Sequence, residues 1–136
     1  GKGGFGGFCE LPDRNKPVIC AVNGLAVGGG FEIVLAAEFV VAADHAEFFL
    51  PETGLGIIPD AGAVRLPRVL PPVVANEVLY GGRRLNTKEA ERWGLVNQVV
   101  AAGELMDEAW ALAWRIAAAT TVCWPFDTWA SAFRIQ

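Results

Sequence analysis

Three observations predict a layered α/β fold. Residues 17–22 and 39–43 are short runs, apolar on both faces, as strands are when a sheet is covered on two sides. Between them three glycines, Gly28 to Gly30, lead into a helical stretch over 31–38, giving a strand, helix, strand crossover. Beyond residue 60 the pattern turns helical, with start and stop residues in the expected places.

Residues 1–16 hold five glycines, Pro12 and a charged run at 13–16, and read as a loop or weak helix before the first strand. The strand at 17–22 turns through Asn23-Gly24, and the helix after the glycines buries Ile33, Val34, Ala36 and Ala37. A further strand spans 47–50. Helices follow over 61–69, from Pro71-Pro72 to Gly81-Gly82, and from Asn86, where Asn86 and Glu89 form a capping box and Gly94 suits a left-handed end. After a strand at 96–100, an amphipathic helix at 104–118 places Leu105, Ala109, Leu112 and Ile116 on one face. Trp110 and Trp114 make a second stripe, suited to packing or to a contact between subunits.

With 136 residues, 53% of them hydrophobic, the chain has enough apolar surface for one domain. A net charge of −4 without like-charge blocks argues against nucleic acid and anionic membranes as partners. The longest apolar stretch, 33–43, is interrupted by Glu38 and is too short to span a bilayer. No signal sequence opens the chain, so the default location is cytoplasmic, although the absence of an initial Met suggests a missing start. Cys9, Cys20 and Cys123 form no C-x-x-C pair and read as reduced thiols; with His45 the only histidine, in a polar turn, no metal site is expected.

The chemistry concentrates between Val22 and Asp60. A helix that starts after glycines offers unpaired N–H groups that a ligand can approach, so the amide of Gly28, Gly29 or Gly30 can hold a developing oxyanion. The plainer alternative is a simple turn, with Glu32 favouring the positive helix end by about 0.3–1 kcal/mol. Glu52, where a strand leaves the sheet, supplies a second acid. Two carboxylates in one cleft suit addition of water across a double bond: one takes a proton from water, the other delivers a proton to carbon. Other chemistries lack their residues: no lysine follows the glycines as a P-loop requires, and Ser131, the only serine, lies in no G-x-S-x-G turn.

Asn-Gly-x-Ala-x-Gly-Gly-Gly-x-Glu at 23–32, followed by Leu-Pro-Glu-x-x-Leu-Gly-Ile-x-Pro-Asp at 50–60, resembles the enoyl-CoA hydratase/isomerase (crotonase) family. The likeness continues through Arg65-Leu66-Pro67, Gly82-Arg83-Arg84-Leu85 and Trp93-Gly94-Leu95-Val96-Asn97. It implies a crotonase-like repeated ββα superfold with a layered sheet, truncated here. Residues 1–119 then form the central part of the domain, and 120–136 are a tail unlike the family.

The resemblance makes Gly29 an oxyanion-hole donor, Glu32 the water-activating carboxylate and Glu52 the acid/base at the carbon next to the thioester carbonyl. Asp60 either positions a polar or cationic substrate group or caps the following helix. The implied substrate is an acyl-CoA thioester, with CoA part of the substrate and no separate cofactor or metal, and the implied assembly is a homotrimer or dimer of trimers. Two departures stand out. The family's other oxyanion donor, in an upstream alanine-glycine-aspartate segment, has no match before Phe5, and the 60–65 loop is one residue shorter than the family's. Three readings follow: a hydratase/dehydratase using both acids, a double-bond isomerase using Glu52 alone, and a truncated noncatalytic subunit using neither.

Overall fold

The computed structural model describes residues 2–120. Strands β1 (Ile19–Val22) and β2 (Leu25–Val27) precede helix α1 (Gly29–Ala36). Strands β3 (Phe39–Ala43) and β4 (Glu47–Phe49) then precede α2 (Asp60–Val69) and α3 (Pro72–Gly81). The chain continues through β5 (Leu85–Asn86), α4 (Thr87–Arg92), β6 (Gln98–Val100) and α5 (Leu105–Thr120).

The two successive ββα units divide their strands between two sheets. β1, β3 and β6 form one parallel sheet, with Ile19 paired to Phe39 and Val41 to Gln98. β2, β4 and β5 form the other, where β2 and β4 are parallel and β5 returns antiparallel. The crossover from β1 through α1 to β3 is present as expected. The strand β2 inside it was not anticipated, because three residues between glycines show no periodicity.

Alternation along β3 explains its unbroken apolar text. Val40 and Ala42 face a core shared with Phe31, Leu35, Phe48, Leu50, Leu66, Val78 and Leu85, whereas Val41 and Ala43 face Leu105, Ala109 and Ala113 of α5. The sheet is thus covered on both sides. On α5, Leu112 and Ile116 are only partly buried and Ala113 completes the packed face. Trp110 and Trp114 are exposed, at 45% and 70%, and belong to neither of these two core clusters.

Other expectations differ in detail. Helix α1 begins within the glycine run and ends at Ala36, and it buries Phe31, Glu32, Val34, Leu35 and Ala36, leaving Ile33 half-buried. Ala37 is already extended. The remaining helices lie within two residues of their expected bounds, α2 starting at Asp60 and α5 running from Leu105 to Thr120, whereas the strands expected at 17–22, 47–50 and 96–100 are shorter, at Ile19–Val22, Glu47–Phe49 and Gln98–Val100. Pro72 opens α3, Gly82 closes it with φ 64°, and Asn86 and Glu89 complete a reciprocal capping box on α4. Residues 5–7 form a 3-10 turn within the glycine-rich start.

Cys9 and Cys20 are free and buried, whereas Cys123 and the tail from 121 onward lie outside the described residues. Among the described residues no helix is long and apolar enough to cross a membrane.

Candidate active site

The site is assembled where β2 and β4 end side by side. Their parallel pairing aligns Val27 with Phe49, and the Gly28 N–H extends it by donating to the Phe49 carbonyl at 3.0 Å. Gly28 then turns sharply, with φ 52° and ψ −121°, into α1. Only glycine adopts that conformation without strain. As at any helix start, the first-turn amides of α1 have no intrahelical acceptor.

Glu52 arrives at this turn because the chain leaving β4 passes through Pro51 into a 3-10 turn, Glu52–Leu55, closed by Gly56 with φ 75°. A methyl group added to Gly28 would meet Glu52 Oε1 at 2.7 Å, so the carboxylate lies against the bare face of that glycine. Glu52 Oε2 is buried and has no hydrogen-bond partner among the described residues. An unpartnered carboxylate oxygen is costly to bury, and such atoms call for an explanation in ligand binding or catalysis.

Glu32 sits one turn into α1, its backbone N–H bonded to the Gly28 carbonyl at 3.0 Å and its side chain only 3% exposed. Its Oε1 accepts the Gly62 N–H at 2.8 Å. Gly62 is in the first turn of α2, whose Pro59 cap offers no side-chain acceptor, so Glu32 fills that role from another helix. Glu32 thus sits in the first turn of α1 with its carboxylate on the start of α2, and Glu52 lies against the glycine that caps α1.

Gly29 opens α1, and the Phe5 ring presses against it: a methyl group there would lie 2.0 Å from Phe5 Cζ. Asp60 is exposed at the first position of α2, in the turn where an acid favours the positive helix end, and its carboxylate makes no hydrogen bond among the described residues. His45 is exposed in its turn, 3.1 Å from the Asn23 carbonyl.

Several supporting groups escaped sequence reasoning. Gly62 and Phe5 are two, and the available signal for Gly62 was a glycine where a helix has free amides. Arg65 is a third, donating from α2 to the Cys9 carbonyl at 2.7 Å and so fastening the N-terminal segment. The Cys9 thiol behind the site is pushed above its ordinary value, by burial first and the Glu32 carboxylate second. No cluster of metal-ligating side chains occurs among the described residues.

The family model for enoyl-CoA hydratase/isomerase matches residues 2–125. A carnitinyl-CoA dehydratase of Salmonella arizonae is 59% identical over 114 residues, 83% of this chain and 44% of that protein. One of Proteus mirabilis is 58% identical over 118 residues, 86% of this chain and 45% of that protein. This chain thus spans less than half the length of these curated relatives.

Among solved structures, a carnitinyl-CoA dehydratase from Mycobacterium avium aligns with a TM-score of 0.72 and 41% identity, covering 83% of this chain and 48% of that one. An enoyl-CoA hydratase from Bacillus anthracis aligns with a TM-score of 0.72 and 47% identity, covering 75% and 40%. With the family model spanning most of its length, the chain belongs to the enoyl-CoA hydratase/isomerase family.

Proposed function

We propose that the protein carrying this chain is a hydratase/dehydratase acting on the double bond of a short-chain enoyl-CoA thioester, with crotonobetainyl-CoA and carnitinyl-CoA as its pair of substrates. The observation that carries the reading is the Glu52 carboxylate, which lies against Gly28 with Oε2 buried and unpartnered, while Glu32, four residues on in the first turn of α1, is buried with its carboxylate on the Gly62 N–H. The choice of acyl group rests on the names of the relatives at 58–59% identity.

In this mechanism the Gly29 N–H donates to the thioester oxygen and stabilises the negative charge that builds there as the enolate forms. Glu32 removes a proton from water, whose oxygen bonds to the β-carbon. Glu52 gives a proton to the α-carbon, and the electron pair on oxygen returns to restore the carbonyl. Dehydration runs the same steps backward. The Gly62 N–H holds Glu32 in one orientation, and the free Glu52 Oε2 is available for transfer. Asp60, exposed in the first turn of α2, would pair with a cationic acyl substituent. No cofactor beyond the substrate's own CoA takes part, and the family reading carries a cytoplasmic homo-oligomer with it.

The test is a pair of substitutions in the full-length protein. Glu32→Gln should abolish hydration while leaving double-bond isomerisation, which needs only Glu52. Glu52→Gln should abolish both. Hydration that persists in Glu32→Gln sinks the assignment of water activation, and activity that persists in Glu52→Gln sinks the whole mechanism.

A further inference from the structure

The bare faces of the two consecutive glycines at the start of α1 are covered by different chemistry. Glu52 Oε1 would lie 2.7 Å from a methyl group on Gly28, and the Cζ, Cε1 and Cε2 atoms of Phe5 would lie 2.0–2.5 Å from one on Gly29. The ring edge therefore occupies space that exists only because residue 29 is glycine. Phe5 is nevertheless 51% exposed, so the rest of its ring borders open space beside the helix start.

The segment holding Phe5 is fastened at its base. Glu10 donates to the Gly3 carbonyl at 2.8 Å, and Phe8 and Cys9 both donate to the Phe5 carbonyl. Cys9 is buried with Ala36 and Ala61, and Arg65 holds its carbonyl. A hydrocarbon ring kept half exposed by an anchored loop beside a helix start offers an apolar surface to whatever reaches the Gly29 N–H.

We propose that Phe5 is a specificity-determining residue: its ring walls the acyl pocket beside Gly29 and limits the size of the acyl group. The inference rests on the acyl-CoA reading above. A thioester carbonyl that reaches the Gly29 N–H carries its first acyl carbons past the ring. Shortening the side chain opens room for methylenes, and enlarging it closes room. Apolar pockets discriminate by about tenfold or more per methylene.

The experiment is calorimetric titration of the full-length protein, wild type, Phe5→Leu and Phe5→Trp, with butyryl-CoA and octanoyl-CoA, saturated thioesters that are not hydrated. The expected result is a shift of the octanoyl-to-butyryl affinity ratio by about tenfold toward octanoyl in Phe5→Leu and in the opposite direction in Phe5→Trp. The ratio within one variant cancels any general loss of binding. Should Phe5→Leu fail to fold, the Phe5→Trp shift decides alone. Ratios within about twofold of wild type in every folded variant overturn the proposal, as does failure of wild type to bind either thioester. A parallel crotonobetainyl-CoA hydration assay separates the two ideas. Hydration with unchanged ratios refutes the role of Phe5 alone, whereas shifted ratios without hydration refute the hydratase reading and leave Phe5 as the pocket wall.

Discussion

Glu32 accepts the Gly62 N–H at 2.8 Å, so the acid assigned to water activation also serves as the N-terminal acceptor of α2. One side chain thereby couples the chemistry to the packing of α1 on α2. A buried amide left without an acceptor costs about 1–3 kcal/mol, whereas an amide oxygen in the same place keeps the bond. Glu32→Gln should therefore melt close to wild type, and Glu32→Ala should lose about 1–3 kcal/mol and leave a cavity. Urea titration of both variants checks this, and equal stabilities would mean that the Gly62 contact is dispensable.

Gly28 is the more demanding position. Its φ of 52° and ψ of −121° are strained for any residue with a side chain, and an added methyl would also sit 2.7 Å from Glu52 Oε1. Gly28→Ala is expected to cost about 1–3 kcal/mol and to push the Glu52 carboxylate away, with hydration falling by about 100-fold. Thermal melting and steady-state kinetics on the full-length protein measure both losses. Retained activity would show that Glu52 tolerates displacement and is not the proton donor.

These two positions also mark how far the sequence could be read. The strand at 39–43, the Pro72 start and the Asn86 cap are local signals, each set by residues within one turn or one strand, and each appears in place. Glu32 and Glu52 stand out as candidates because they sit in long ordered motifs. The hydrogen bond from Gly62 spans 30 residues, and the contact of Phe5 with Gly29 spans two elements. Neither has a periodicity to reveal it. β2 was hidden for a different reason: it is held by its register against β4, not by a pattern of its own. Burial of Glu32 was likewise invisible, because a charged residue in the first helical turn ordinarily faces water.

Asn86 offers a control away from the site. Its side chain accepts the Glu89 N–H at 3.0 Å while Glu89 Oε2 accepts the Asn86 N–H at 3.3 Å. Asn86→Ala should lower stability by about 1 kcal/mol through the lost cap. Because α4 contributes no group to the helix start of α1, kcat/KM should stay at the wild-type value. A drop in kcat/KM without a change in melting would show that α4 bears on the chemistry after all.

Cys20 makes the fold sensitive to alkali. It lies on β1 with its thiol in the main core, and burial first, then the Glu38 carboxylate, push its pKa from 9.0 up to about 11. The folded thiol thus holds its proton longer than the unfolded one. Below pH 9.0 both states are protonated and no stability is lost to this group; as pH rises from 9.0 to about 11 the unfolded state ionises first and folding weakens. The loss amounts to about 1.4 kcal/mol per pH unit in that window. Urea titrations across it should show a steeper decline for wild type than for Cys20→Ala, in which the thiol is gone. Parallel declines would place the Cys20 thiol in contact with water and out of the core.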